Sequence, residues 1–74
     1  LGKLRILSAK EVGKILETHG FRQIRQQGSH IIYQKKKEGT TVTVIVPNYA
    51  EIRNGTLISI IRQSQLSRSF FELK

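Results

Sequence analysis

Cysteine is absent from the 74 residues, which excludes disulfides, thiolate nucleophiles and cysteine-ligated zinc and leaves the fold to stand on packing alone. A reducing cytoplasm suits such a chain. No apolar run approaches the roughly 18 residues that a membrane helix requires, so no membrane partner is expected. Leu1 to Leu7 holds two cations but too short an apolar stretch for a secretory signal, and no targeting segment is read there. Acids are scarce as well. His19 and His30 fall on different elements with no carboxylate cluster at ligand spacing beside either, so metal catalysis is not expected. No internal repeat or low-complexity linker divides the chain. Its length suffices for one domain, residues 1–74, whose hydrophobic burial exceeds chain entropy only narrowly.

What the chain does have is positive charge: thirteen Lys and Arg against five Asp and Glu give a formal net charge of +8. On so small a surface this predicts a field that draws in polyanions, with nucleic acid, anionic lipid and an acidic protein as candidates. A merely solvated surface accounts for a few spare cations but less well for so one-sided a balance. The densest cluster is Lys35, Lys36 and Lys37. Arg22, Arg25, Arg53, Arg62 and Arg68 are scattered, which implies a patch spread over several elements rather than a basic tail.

The first element opens at Ser8-Ala9-Lys10-Glu11, which has the spacing of a capping box, with Leu7 placed to staple onto Val12. Val12, Ile15, Leu16 and His19 recur at helical spacing, and Gly20 supplies the left-handed residue that ends a helix, so a helix is predicted over about Ala9 to His19. His19 falls in its last turn, where the carbonyl end of the helix dipole favours an imidazole; a capping role is expected for it, not a catalytic one. Phe21 to Gln26 reads as a short strand held by Phe21 and Ile24. Gly28 breaks it, His30 to Lys36 alternates as a second strand, Glu38-Gly39 turns, and Thr41 to Val46 forms a third strand closed by Pro47. After a connection over Asn48 to Asn54, Gly55 leads into a helix capped by Thr56, with Leu57, Ile60 and Ile61 as its buried stripe. Ser67 caps a short final helical turn in which Phe70, Phe71 and Leu73 close one end of the core.

The order α-β-β-β-α gives an α+β two-layer sandwich, with both helices on one face of a three-stranded antiparallel sheet and the other face open. Along the second strand Ile31 and Tyr33 share one face, and His30, Ile32, Gln34 and Lys36 share the other. Each face carries an isoleucine, so alternation alone leaves the choice open. Burying His30 together with Gln34 and Lys36 costs far more than exposing Ile32, which assigns Ile31 and Tyr33 to the core and His30 to the open face.

Gly28-Ser29-His30 at the opening of this second strand resembles the HicA toxins. The resemblance continues in order through the Thr-Val-Thr-Val strand ending at Pro47, the Glu51-Ile52 step, Gly55-Thr56-Leu57 and Ile60-Ile61-Arg62-Gln63, and covers nearly the whole chain from Ser8. It implies a fold like that of double-stranded-RNA-binding domains, activity as a translation-blocking endoribonuclease acting on mRNA, and a cognate HicB antitoxin that masks the active site. The family's catalytic histidine maps onto His30. A free imidazole titrates near ~6.5 and can take the proton from a ribose 2′-hydroxyl, which then attacks the adjacent phosphorus. That chemistry selects RNA over DNA and requires no cofactor. Lys35, Lys36 and Lys37 are candidate phosphate contacts, Gly28 permits close backbone approach, and Ser29 either bonds a phosphate, orients His30, or serves only in a turn.

The chain departs from the family pattern at one place: many relatives carry Pro-Asn-His where Pro47-Asn48-Tyr49 stands here. Tyr49 replaces a second imidazole only partly, since a phenol donates a hydrogen bond but titrates near ~10, so reduced or lost activity is expected. Tyr49 either stacks on an unpaired base or is a partly buried loop anchor, the anchor being preferred. The rival from another class is a module of the same fold that binds RNA without cutting it. A third reading, compatible with the first, has an acidic antitoxin covering the basic surface and the exposed Ile32.

Overall fold

The computed structural model describes residues 2–73. Its first helix, α1 (Ala9–Thr18), starts where both halves of the capping box close. The Ser8 hydroxyl accepts from the Glu11 amide at 3.1 Å, and the Glu11 carboxylate accepts from the Ser8 amide at 2.9 Å. Leu7 and Val12, either side of that cap, are both buried. The helix ends one residue before the expected His19, and Gly20 follows at φ +94°. His19 acts as a terminator: its Nδ1 lies 2.8 Å from the Ile15 carbonyl, and its ring stacks on Phe70 with centroids 4.1 Å apart.

Three strands follow, β1 (Arg22–Gln27), β2 (His30–Lys37) and β3 (Thr40–Pro47), in spatial order β1-β2-β3 and antiparallel throughout. A two-residue turn at Gly28-Ser29 joins the first pair. Gly28 alone has positive φ, at +60°, the pattern of a type II′ hairpin. Glu38 and Gly39 both have positive φ, the pattern of a type I′ turn, and join the second pair. Directly opposed residues share a face, so the register puts Ile31 with Val46 and Tyr33 with Val44 on the buried side. Val12, Leu16, Leu57 and Ile60 from the helices join those strand residues in the core. The second helix, α2 (Asn54–Ser64), contributes Leu57 and Ile60, while Ile61 packs against the core only partly buried. Both helices thus lie on the Tyr33 side, and the His30 side is open.

Four local expectations need correction. Ile24 does not hold β1. The register slips between Gln23 and Arg25, and this bulge leaves Ile24 without a cross-strand partner and 50% exposed, so Phe21 alone anchors that end. Thr56 does not cap α2; the N-cap is Arg53, with no side-chain hydrogen bond, and Thr56 lies inside the first turn. Packing replaces the cap here. Ile52 precedes the cap and Leu57 is the fourth helical residue, and both are buried, which is a staple without its polar partner. Of the three residues assigned to close the core, only Phe71 does so: Phe70 is 44% exposed against His19, and Leu73 is exposed. The Ser67 cap of that last 3₁₀ turn (Arg68–Phe71) is present. The fourth is Tyr49, whose ring is exposed and not partly buried.

Segments near the two ends are tied together. Arg5 donates to the Phe71 carbonyl and Leu73 to the Lys3 carbonyl, while Arg68 pairs with Glu72 at 2.8 Å and donates to the Gly2 carbonyl. Among the described residues no helix is long and apolar enough to cross a membrane.

Candidate functional site

The open face is read most directly as cross-strand rows. The Gly28-Ser29 turn pairs Gln27 with His30, and β3 brings Pro47 to the other side of His30. The next row is Arg25, Ile32 and Ile45, and the one after it is Arg22, Gln34 and Thr43. Lys36 and Thr41 complete the face at its far end. His30 is exposed, and no hydrogen bond within the described residues ties its ring. Around it the backbone is fixed. The Asn48 amide donates to the Ser29 carbonyl at 2.6 Å, and the Gln26 side chain donates to the Gly28 carbonyl at 3.1 Å, bracing the turn from both sides.

Alternation splits the lysine run. Lys36 shares the face of His30 but stands six residues along the strand, about 20 Å away. Lys35 belongs to the helix side, opposite Val42, and its ammonium lies 5.8 Å from the centroid of the Phe21 ring. Lys37 pairs with Thr40 at the hairpin end, further still from His30. These three lysines therefore do not surround the imidazole.

The cation that register brings nearest to it is Arg25, diagonal to His30 across β1 and β2, a relation that sets Cα atoms about 7–8 Å apart. Sequence reading counted Arg25 among scattered charges and did not assign it to the site. A signal was present: a two-residue turn at Gly28-Ser29 pairs Gln27 with His30, Gln26 with Ile31 and Arg25 with Ile32. All five acidic residues are glutamates, at positions 11, 17, 38, 51 and 72, and none stands in a strand of the open face. Among the described residues the ion pair Arg68–Glu72 is the one within 4 Å, so Arg22, Arg25 and Lys36 have no acid partner.

Tyr49 is an anchor through its backbone alone. Its carbonyl accepts from the Ala9 amide at 2.9 Å, at the first residue of α1, and its amide donates to the Pro47 carbonyl at 2.8 Å. The ring is 56% exposed, so the expected partly buried side chain is not found. Among the described residues no three His or Glu side chains group in a way that could hold a metal ion.

A two-layer α+β fold with an acid-free basic sheet face and a solvent-exposed histidine at the mouth of a hairpin defines a class of small domains with one open, positively charged sheet face. Residues 9–66 match the family described as HicA toxin of bacterial toxin-antitoxin systems. That span is most of the chain, and the protein belongs to the HicA family. It is thus a toxin-type domain of a toxin-antitoxin system, and membership carries a cognate antitoxin of the HicB type as its partner. Comparison with curated proteins gives no match.

Proposed function

We propose that this HicA-family protein is a metal-independent endoribonuclease in which His30 is the general base, working on mRNA in the cytoplasm until its antitoxin covers the open face. The observation that carries the reading is the exposure of His30 at one end of a sheet face that holds arginines and lysine but no carboxylate. A neutral imidazole accepts the proton of a ribose 2′-hydroxyl, the oxygen attacks the adjacent phosphorus, and the bond from phosphorus to the 5′-oxygen breaks. The products are a 2′,3′-cyclic phosphate and a 5′-hydroxyl whose proton comes from water. Negative charge builds up on the phosphorane, and a guanidinium one diagonal away is the side chain suited to offset it, which assigns Arg25 to that work. Gly28 lets a phosphate approach the turn, Ser29 offers its hydroxyl, and Lys36 extends the positive track, with Lys35 and Lys37 adding charge from the other side of the strand.

Tyr49 stands where many relatives place a second histidine. Its exposed ring is free to stack on an unpaired base, and its phenol offers a hydrogen bond in place of those relatives' imidazole. The enzyme is therefore expected to be slow. The rival, RNA binding without cleavage, follows if the loss of rate is complete.

Incubating the protein with labelled transcript in EDTA separates the two. Wild type is expected to cleave, leaving cyclic-phosphate ends, and His30→Ala to lose roughly 10²-fold or more in rate, the scale of a general base. A 2′-deoxy substitution at the cut site is expected to abolish cleavage there. Cleavage that persists in either control refutes the histidine mechanism, and binding with no cleavage by wild type leaves the non-catalytic module.

A further inference from the structure

Away from His30, at the other end of the sheet, the surface sinks into a depression of about 450 Å³ lined by Gly20, Arg22, Ile24, Gln34, Lys35, Lys36 and Thr41. Its size falls among clefts that take small ligands, roughly 300–1,000 Å³. Three of its lining residues are cations, and none of these has an acid within ion-pair distance among the described residues.

Two of them owe their place to the tertiary fold. Lys35 lies over Phe21, which holds the ammonium by its face and leaves the N–H groups free to donate. Its stem runs past Gly20, where an added Cβ would meet the Lys35 Cε at 3.3 Å, so the helix-ending glycine also leaves room for the lysine. Arg22 faces Gln34 across the strand pair, and Gln34 is itself directed by a 3.4 Å bond to the Thr43 hydroxyl. A line from His30 through Arg25 and Arg22 to Lys36 follows the strands, with Ile32 and Ile45 as aliphatic surface between them.

We propose that this depression is a second phosphate subsite that holds a single-stranded RNA several nucleotides away from the bond cut at His30, a proposal that rests on the ribonuclease reading above. Gln34 and Lys36 lie four and six residues along β2 from His30, about 13–20 Å, which a stacked strand rising about 3.4 Å per nucleotide covers in about four to six nucleotides. The occupant is a nucleic-acid strand with regularly spaced charge, because the cations repeat along the strands while the largely apolar walls of the depression, Ile24 among them, suit the faces of unpaired bases. An acidic protein segment is the competing occupant and becomes an outcome of the test.

Binding is measured in the His30→Ala background with labelled single-stranded oligoribonucleotides of two to ten nucleotides, by anisotropy across a salt series. Arg22→Gln/Lys36→Gln is compared in the same background after circular dichroism verifies its fold. Affinity is expected to climb with length and level off at about five nucleotides. In the double variant the ratio of decamer to dimer affinity should fall roughly tenfold, and the salt slope should drop by about 1.4, the loss of two single-strand phosphate contacts.

An unchanged ratio and slope, affinity independent of length, or no binding at all overturns the subsite. Loss of binding to a poly-glutamate peptide with RNA affinity intact reassigns the depression to an acidic protein. Parallel cleavage by the His30 protein keeps the two readings apart. No cleavage beside the expected binding pattern sinks the nuclease and leaves the subsite, whereas cleavage that is indifferent to Arg22, Lys36 and substrate length does the reverse.

Discussion

At the scale of single residues, small side chains matter here for what they leave empty. Gly13 lies in the buried stripe of α1, and a Cβ built there would collide with the Tyr33 hydroxyl. Gly13→Ala improves helix propensity by about 1 kcal/mol but forces a core ring to move, and overpacking of that kind costs about 1–3 kcal/mol. The expected net result is destabilisation by up to about 2 kcal/mol in urea titrations. In a Tyr33→Phe background most of the cost should disappear, since the colliding oxygen is gone. Additive effects in that cycle would show that the helix does not rest on this ring. His30 and His19 make the same point for function. One imidazole is spent on a carbonyl and an aromatic ring, and the other is left with nothing to hold.

At the scale of elements, each helix ends by a different device. Gly20 at φ +94° follows α1 with little strain, whereas α2 ends at Gln65, a residue with a Cβ held at φ +61°. Ser64 compensates in part, its buried hydroxyl donating to the Ile61 carbonyl and accepting from the Leu66 amide. Gln65→Gly is expected to stabilise the protein by about 0.5–1 kcal/mol, read as a higher urea midpoint with unchanged slope. A lower midpoint would mean that the Gln65 side chain does work that its exposed position does not indicate. The bulge in β1 is an element-scale device too. It turns Ile24 away and shifts the register beyond it, which sets Arg22 opposite Gln34 on the open face. The edge amide of Ile45 in β3 is taken up by the Gln63 side chain at 3.1 Å, and Pro47 has none, so the edge near the site offers few bonds to another strand.

At the scale of the molecule, the two faces of one sheet have opposite duties. The covered face carries a titration that links to stability. Burial, and secondarily the charge of Glu17, push the Tyr33 phenol above its ordinary value near 10. The folded protein therefore holds that proton more tightly than the unfolded chain does. The resulting contribution is fully present below about pH 10 and is lost as pH rises through the folded value. Urea midpoints measured from pH 9 upward should fall more steeply for wild type than for Tyr33→Phe. Parallel curves would place the alkaline loss in the lysines instead. At the start of α1, Glu11 is held below the usual carboxylate range by its bonds to the Ser8 amide and hydroxyl, with Arg5 adding to them. The α1 cap is thus an acid-side feature, complete above the ordinary carboxylate range and lost as pH falls through the depressed value.

The sequence by itself determined the order of elements, the capping box, the turns and the side of the sheet on which His30 stands. Those depend on spacing between near neighbours, and on the large difference in cost between burying an imidazole beside Gln34 and Lys36 and exposing one isoleucine. Tertiary structure alone decided the bulge at Ile24, the start of α2 after an Arg53 cap and the exposure of the Tyr49 ring. The last two rest on contacts between segments far apart in the chain: the Ile52 amide on the Leu7 carbonyl and the Tyr49 carbonyl on the Ala9 amide. Such contacts leave no periodic trace, because they are set by which surfaces meet and not by how residues repeat.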